Sequence, residues 1–203
     1  IGELTSEDTE RANRYTERKQ RISEESKFDS RDDYLKSLKT RVSIARMNQY
    51  SENRVLQLIN KTNQFNFTTK RYTGKELEQI VARGGIVLSI SVEDKFSEIE
   101  IVGVIILLPN QGSIVIDTFL LSCRVLGRGI EQGVLGWVIN YATSIENSRI
   151  IGMRTETDRN IPTSGLLEEM GFVQFSADEF IFEIGGNSSD YKYMNGIQVI
   201  SDV

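Results

Sequence analysis

Hydrophobic and polar positions along the chain divide it into a helical beginning, a strand-rich middle and an alternating end. The first thirty residues carry almost no apolar periodicity. The stretch "LTSEDTERANRYTERKQR" is dense in Glu and Arg, and Thr5 with Asp8 forms a capping box, so it reads as an exposed helix or an interdomain linker. "DSRDDYLKSLK" follows with Ser30 as N-cap, Asp33 at the third helical position, and Tyr34, Leu35 and Leu38 on one face. "TRVSIARM" is a short strand. "ENRVLQLINKTNQF" is a helix that turns Val55, Leu56 and Ile59 inward. "YTGKELEQIVARGG" carries the clearest helix signal, with Thr73 and Glu76 as the box and Gly84 placed to stop it.

The period then changes. "GIVLSISVED", "EIEIVGVIILL" and "SIVIDTFLLS" are β-branched runs separated by charged or Gly-containing turns, which predicts three antiparallel strands in succession. From Ile130 the pattern is helical again, with Ile130, Val134, Trp137, Val138, Tyr141 and Ile145 on one stripe. "SRIIGMRTE" is a strand, "TSGLLEEMGF" a short helix and "EFIFEIG" a last strand. The stretch after Gly185 has no strong pattern. The division is therefore a helical linker over 1–30, an α/β domain over 31–185 and a tail over 186–203.

Composition narrows the chemistry. With 203 residues, 39% hydrophobic and 26% charged, the chain has the makeup of a soluble globular protein. Its longest apolar run, 101–108, is too short to span a bilayer as a helix, which needs about 20 residues. No secretory signal opens it, and a single Cys excludes an intrachain disulfide or a Cys-based zinc site, so a cytoplasmic setting is expected, with no metal and no membrane partner. There is no histidine, hence no Ser-His or Cys-His dyad. A net charge of −5 disfavours nucleic acid as a partner. The first residue is Ile, not Met, which reads as a piece of a longer protein or a processed one.

The junction of the third strand and the long helix holds the candidate site. There, "LLSCRVLGRGIEQG" places the only Cys before an R-x-x-G-x-G element made of Arg124, Val125, Leu126, Gly127, Arg128 and Gly129. Glycines at such a turn allow positive φ and close approach of the backbone, and the N–H groups of the first helical turn face an anion such as a pyrophosphate. Without a ligand, the same element is a Gly-rich strand-to-helix turn. Cys123 is either a nucleophile, as its thiolate, or a small packing residue.

The order of strands, loop and helix resembles motif A of the GNAT acetyltransferase superfamily. That resemblance implies a central, mostly antiparallel mixed sheet flanked by helices, and a loop that holds the pyrophosphate of coenzyme A or the phosphopantetheine arm of a carrier protein. "LINKTNQFNFTTKRYT" (58–73), "DTFLLSCRVLGRGIE" (117–131) and "TDRNIPT…GF" (157–172) are more specific. Together they resemble the C-terminal, GNAT-like half of FkbH-like proteins, which join it to a HAD-like (haloacid-dehalogenase-like) domain. The resemblance implies transfer of a glyceryl unit to the pantetheine thiol of an acyl carrier protein, for polyketide building blocks. The HAD-like aspartate motif lies outside this sequence, so the phosphatase step would belong to an upstream partner domain.

Carried over residue by residue, the resemblance implies an acyl-thioester role for Cys123 and pantetheine contacts from Arg124 to Gly129. It gives substrate contacts to Asn60, Lys61, Thr62, Asn63, Gln64, Asn66 and Asn160. The polar run over 60–66 also reads as a helix end with local side-chain bonds. Leu167 stands where a tyrosine is expected, and Tyr72 is the nearest substitute phenol. Three readings remain open: FkbH-type acyl transfer through Cys123; amine acylation from acyl-CoA, with Glu98 or Asp117 as base; and carrier-protein docking without catalysis. Lys61, Lys70, Arg71, Arg124 and Arg128 would form the cationic patch that docking needs.

Overall fold

The computed structural model describes residues 6–185 and 197–203. One eight-stranded sheet organises them, formed by β1 (Arg41–Arg46), β2 (Ile86–Asp94), β3 (Ser97–Asn110), β4 (Ser113–Leu121), β5 (Arg149–Met153), β6 (Val173–Gln174), β7 (Glu179–Glu183) and β8 (Gln198–Ser201). Their spatial order is β6-β7-β5-β4-β3-β2-β1-β8. The pairs β4 with β5 and β1 with β8 are parallel; the other neighbours are antiparallel. The expected meander of three strands is β2, β3 and β4.

Two helices, α3 (Glu52–Lys61) and α4 (Gly74–Ala82), cover one face. Val55, Leu58, Ile59 and Leu77 pack there on Val87, Val104, Ile106 and Leu120. On the other face, α5 (Ile130–Ser144) and the short α6 (Leu166–Glu169) close the main core over Ile105, Leu107, Phe119 and Leu121. Each fully buried aliphatic side chain in these layers contributes about 1.5–3 kcal/mol. Of the stripe read from sequence, Ile130, Val134, Trp137 and Val138 are buried, and Tyr141 stacks on Trp137 at 5.2 Å. Ile145 caps the helix and is exposed, because the helix ends before the stripe does.

Local signals act as read. Ser30 accepts the Asp33 N–H at the start of α2 (Arg31–Ser37), and Thr73 with Glu76 forms a reciprocal capping box on α4. The box at Thr5 lies outside the described residues. Beyond the tail's lack of pattern, residues 198–201 pair with β1 as β8, and Ile197 and Val199 pack against the main core.

A β-bulge in β4 has the largest consequence for the site. Ile106 pairs with Thr118 and Leu107 with Ile116, so Asp117 is an extra, unpaired residue. Before the bulge, Ile114 and Ile116 face the core under α5; after it, Phe119 and Leu121 do. The parallel pairing of β4 with β5 covers only Ser113 to Ile116, so the two strands part where the bulge begins. A bulge bends a strand and re-aims its side chains.

Candidate functional site

The parting between β4 and β5 is filled by the chain itself. Phe65, Asn66 and Phe67 lie along the freed edge of β4: the Phe67 N–H donates to Phe119 O at 3.0 Å and the Leu121 N–H donates to Phe65 O at 3.1 Å. On the far side the Thr155 N–H donates to Phe67 O at 2.9 Å. Phe65, Phe67 and Phe119 form a three-ring cluster with centroids 5.2 to 6.0 Å apart. Asn160, fully buried, donates from Nδ2 to Asn66 O and Thr155 O, both at 2.9 Å, and its Oδ1 accepts the Thr157 N–H at 2.8 Å. Asn66 donates to Thr62 O and accepts from the Thr69 N–H. Both amides thus hold this inserted segment in place.

The rest of the polar run divides. Asn60 donates to Leu56 O and Tyr72 O, Asn63 accepts from Arg71, and Thr62 caps α3. Lys61 and Gln64 are exposed.

At the bulge, buried Asp117 accepts hydrogen bonds from Lys70 Nζ at 2.5 Å, Tyr72 Oη at 2.7 Å and Thr118 Oγ1 at 2.9 Å. Burial first, then the hydrogen bond to Asp117, pushes the Tyr72 phenol well above its ordinary pKa, so it remains a proton donor to the carboxylate. Asp117 and Tyr72 therefore meet. Cys123 lines a cavity whose wall includes neither Asp117 nor Tyr72. Leu167 is fully buried in the main core against Gly152.

After β4 the chain makes a single 3-10 turn at Cys123–Val125, anchored by buried Val125. Gly127 and Gly129 adopt φ of +71° and +82°, the positive values the sequence calls for, and Gly129 is the N-cap of α5. A side chain at Gly129 would also crowd Ile197, whose Cδ1 lies 3.3 Å from the Cβ position. Arg124 forks onto Glu100 with contacts of 2.8 and 2.7 Å. Arg128 turns inward to Asp94 and Thr40. Arg31 donates to Gly127 O at 2.8 Å, and the Gly127 N–H donates to Glu131 Oε1 at 2.6 Å.

Cys123 is exposed on the wall of a cavity of about 580 Å³. The opposite wall is α1 (Ser6–Glu25), which the sequence presents as linker: Tyr15, Arg18 and Arg21 line the cavity with Arg124 and Arg128. The helix is tied down by Arg21, which bonds Asp94 at 3.0 Å and Ser97 at 2.8 Å, and by Glu24 with Lys95 at 2.7 Å. Asp94 has a fully buried side chain between two guanidiniums. Burial alone would raise its pKa, but the Phe96 N–H, Arg128 and Arg21 outweigh that and hold it below the usual aspartate range. These wall residues escaped sequence reading because Tyr15, Arg18 and Arg21 share a helix face that is polar, not apolar. Four of the five cations read as a docking patch are engaged within the chain: Lys70 on Asp117, Arg71 on the end of α3, Arg124 on Glu100 and Arg128 on Asp94.

A mostly antiparallel sheet whose central parallel pair parts at a bulge, with a Gly loop leading into a helix, is the GNAT acetyltransferase fold. Spermidine N-acetyltransferase from Vibrio cholerae, solved with CoA and spermine, superposes with a TM-score of 0.55 at 15% identity, over 74% of this chain and 97% of that one. An acetyltransferase of the GNAT family from Staphylococcus aureus gives 0.52 at 13% identity, over 71% and 99%. Aminoglycoside acetyltransferase AAC(6')-Ib, solved with coenzyme A, gives 0.53 at 13%, over 70% and 94%. In sequence, no family model and no curated protein matches the chain.

Proposed function

We propose that this chain is an acyltransferase of the FkbH-like kind, which passes a glyceryl-type acyl group to the phosphopantetheine thiol of an acyl carrier protein. The observation that carries the reading is the exposed Cys123 on a cavity wall, one turn before the Gly loop of a GNAT fold. The Cys123 thiolate attacks the donor's acyl carbonyl; a new C–S bond forms and the donor group leaves with its electron pair. The acceptor thiolate then attacks the Cys123 thioester, and the Cys123 thiolate is released. Exchange between thiols needs little general-base help, which suits a chain without histidine. Backbone N–H groups near the strand end stabilise the tetrahedral oxyanion, each by roughly 3–4 kcal/mol. The positive-φ backbone at Gly127 and Gly129 suits an approaching phosphate. An upstream HAD-like domain would prepare the acyl group, and α1 would join the two.

A second reading, acylation of an amine from acyl-CoA, has support from Glu98, which lines the same cavity and could take the amine proton. Asp117 suits that role less, because three donors already hold its carboxylate. Intact mass after incubation with an acyl thioester decides between them. An acyl adduct on wild-type protein that is lost in Cys123→Ser supports the first reading. Full transfer by Cys123→Ser with no adduct on the wild type overturns it.

A further inference from the structure

The Gly loop already carries an anion of its own. Glu131, in the first turn of α5, is more than nine-tenths buried, and its Oε1 sits 2.6 Å from the Gly127 nitrogen. The helix N-terminus favours a carboxylate there for the same reason that it favours a phosphate. Oε2 of the same carboxylate is buried without a hydrogen-bond partner. Full satisfaction of that oxygen requires a donor, which a phosphate ester is not. A phosphate brought to Gly127 would meet a like charge in a desolvated place, where repulsion is least screened.

We propose that Glu131 stands in for a ligand phosphate on the loop, so that the loop selects against phosphate-bearing ligands that lack other sources of affinity, free coenzyme A among them. A phosphate binds at Gly127 only after the Glu131 side chain has moved away. This rests on the pantetheine reading above and deepens it: a ligand presented by a carrier protein has further contacts to offset the displacement, and free coenzyme A has fewer.

Glu131→Gln tests this. The amide keeps an oxygen to accept the Gly127 N–H but removes the charge. Calorimetric titration of wild type and Glu131→Gln with coenzyme A and with phosphate-free pantetheine should give a split result. Coenzyme A should bind the variant about tenfold more tightly, the effect of removing one repulsive partner, and pantetheine should bind both proteins equally. Glu131→Ala serves as the second variant, and thermal melts show that each is folded. If pantetheine and coenzyme A bind the wild type, and neither variant gains affinity for coenzyme A, the role of Glu131 is overturned while the pantetheine reading stands. If neither ligand binds any of the three proteins, the pantetheine reading falls, and the inference with it.

Discussion

Replacing Asn160 with Leu removes the polar atoms that hold the inserted segment while keeping the same branched heavy-atom skeleton. The side chain makes two 2.9 Å bonds to the carbonyls of Asn66 and Thr155, and one 2.8 Å bond from the Thr157 N–H. All three backbone groups would lose a partner at a residue with no solvent exposure. A buried polar group left unsatisfied costs about 1–3 kcal/mol. Three such groups, with partial relaxation toward water, give about 4 kcal/mol, a large share of the roughly 5–15 kcal/mol that holds a domain together. At about 2–4 °C per kcal/mol for a chain of this size, the melting midpoint should fall by roughly 10 °C. Urea unfolding followed by tryptophan fluorescence measures the loss, and Trp137 is the single reporter. The same substitution should loosen residues 65–67, which amide exchange at Phe67 and Leu121 would detect. A loss under 1 kcal/mol would refute the argument, because it would mean that the segment holds its place by its backbone hydrogen bonds and the packing of Phe65 and Phe67 on Phe119 alone.

Other expectations follow from single features. Gly127→Val should abolish binding of pantetheine ligands with far-UV circular dichroism nearly unchanged, because φ of +71° strains any branched residue by about 1–2 kcal/mol and forces the loop to rearrange; unchanged affinity would reduce the loop to a turn. Asp94 has a depressed folded pKa, so its stabilisation is present above the unfolded value of about 3.9 and is lost as pH falls through the lower folded value. Melting midpoints of wild type and Asp94→Asn should therefore differ most at pH 6–7 and converge below pH 4; a difference independent of pH would assign the effect to packing. Cys123→Ser should melt within a degree or two of wild type, since the thiol is exposed, and a larger drop would make Cys123 a structural residue.

Where one stretch of chain determines the outcome, the sequence was readable. Ser30 and Thr73 cap the helices they precede because the partners, Asp33 and Glu76, are three residues away. The meander of β2, β3 and β4 follows from β-branched runs and short turns. What depends on distant partners was not readable. β8 pairs with β1 across 157 residues, and its four residues have no alternation to announce a strand. The run over 60–66 looks like a set of donors for a ligand, yet Asn66 serves backbone groups, and Phe65 within the run and Phe67 just after it are core residues beside Phe119. Glu131 reads as an ordinary acidic residue at a helix start until the Gly127 N–H is seen to point at it.

Asp117 is the residue that the two cores do not use. A strand repeats every two residues, so the surplus residue shifts the core-facing positions of β4 from even, Ile114 and Ile116, to odd, Phe119 and Leu121, while each stays opposite its partner on β3. Deletion of Asp117 would restore an unbroken ladder with Phe119 and Leu121 still toward α5 and Leu120 still toward α3 and α4. What would vanish is the carboxylate that Lys70, Tyr72 and Thr118 hold, together with the bend beside the point where β4 and β5 part. The packing of the sheet can thus spare this residue, and its place in the chain answers to the site alone.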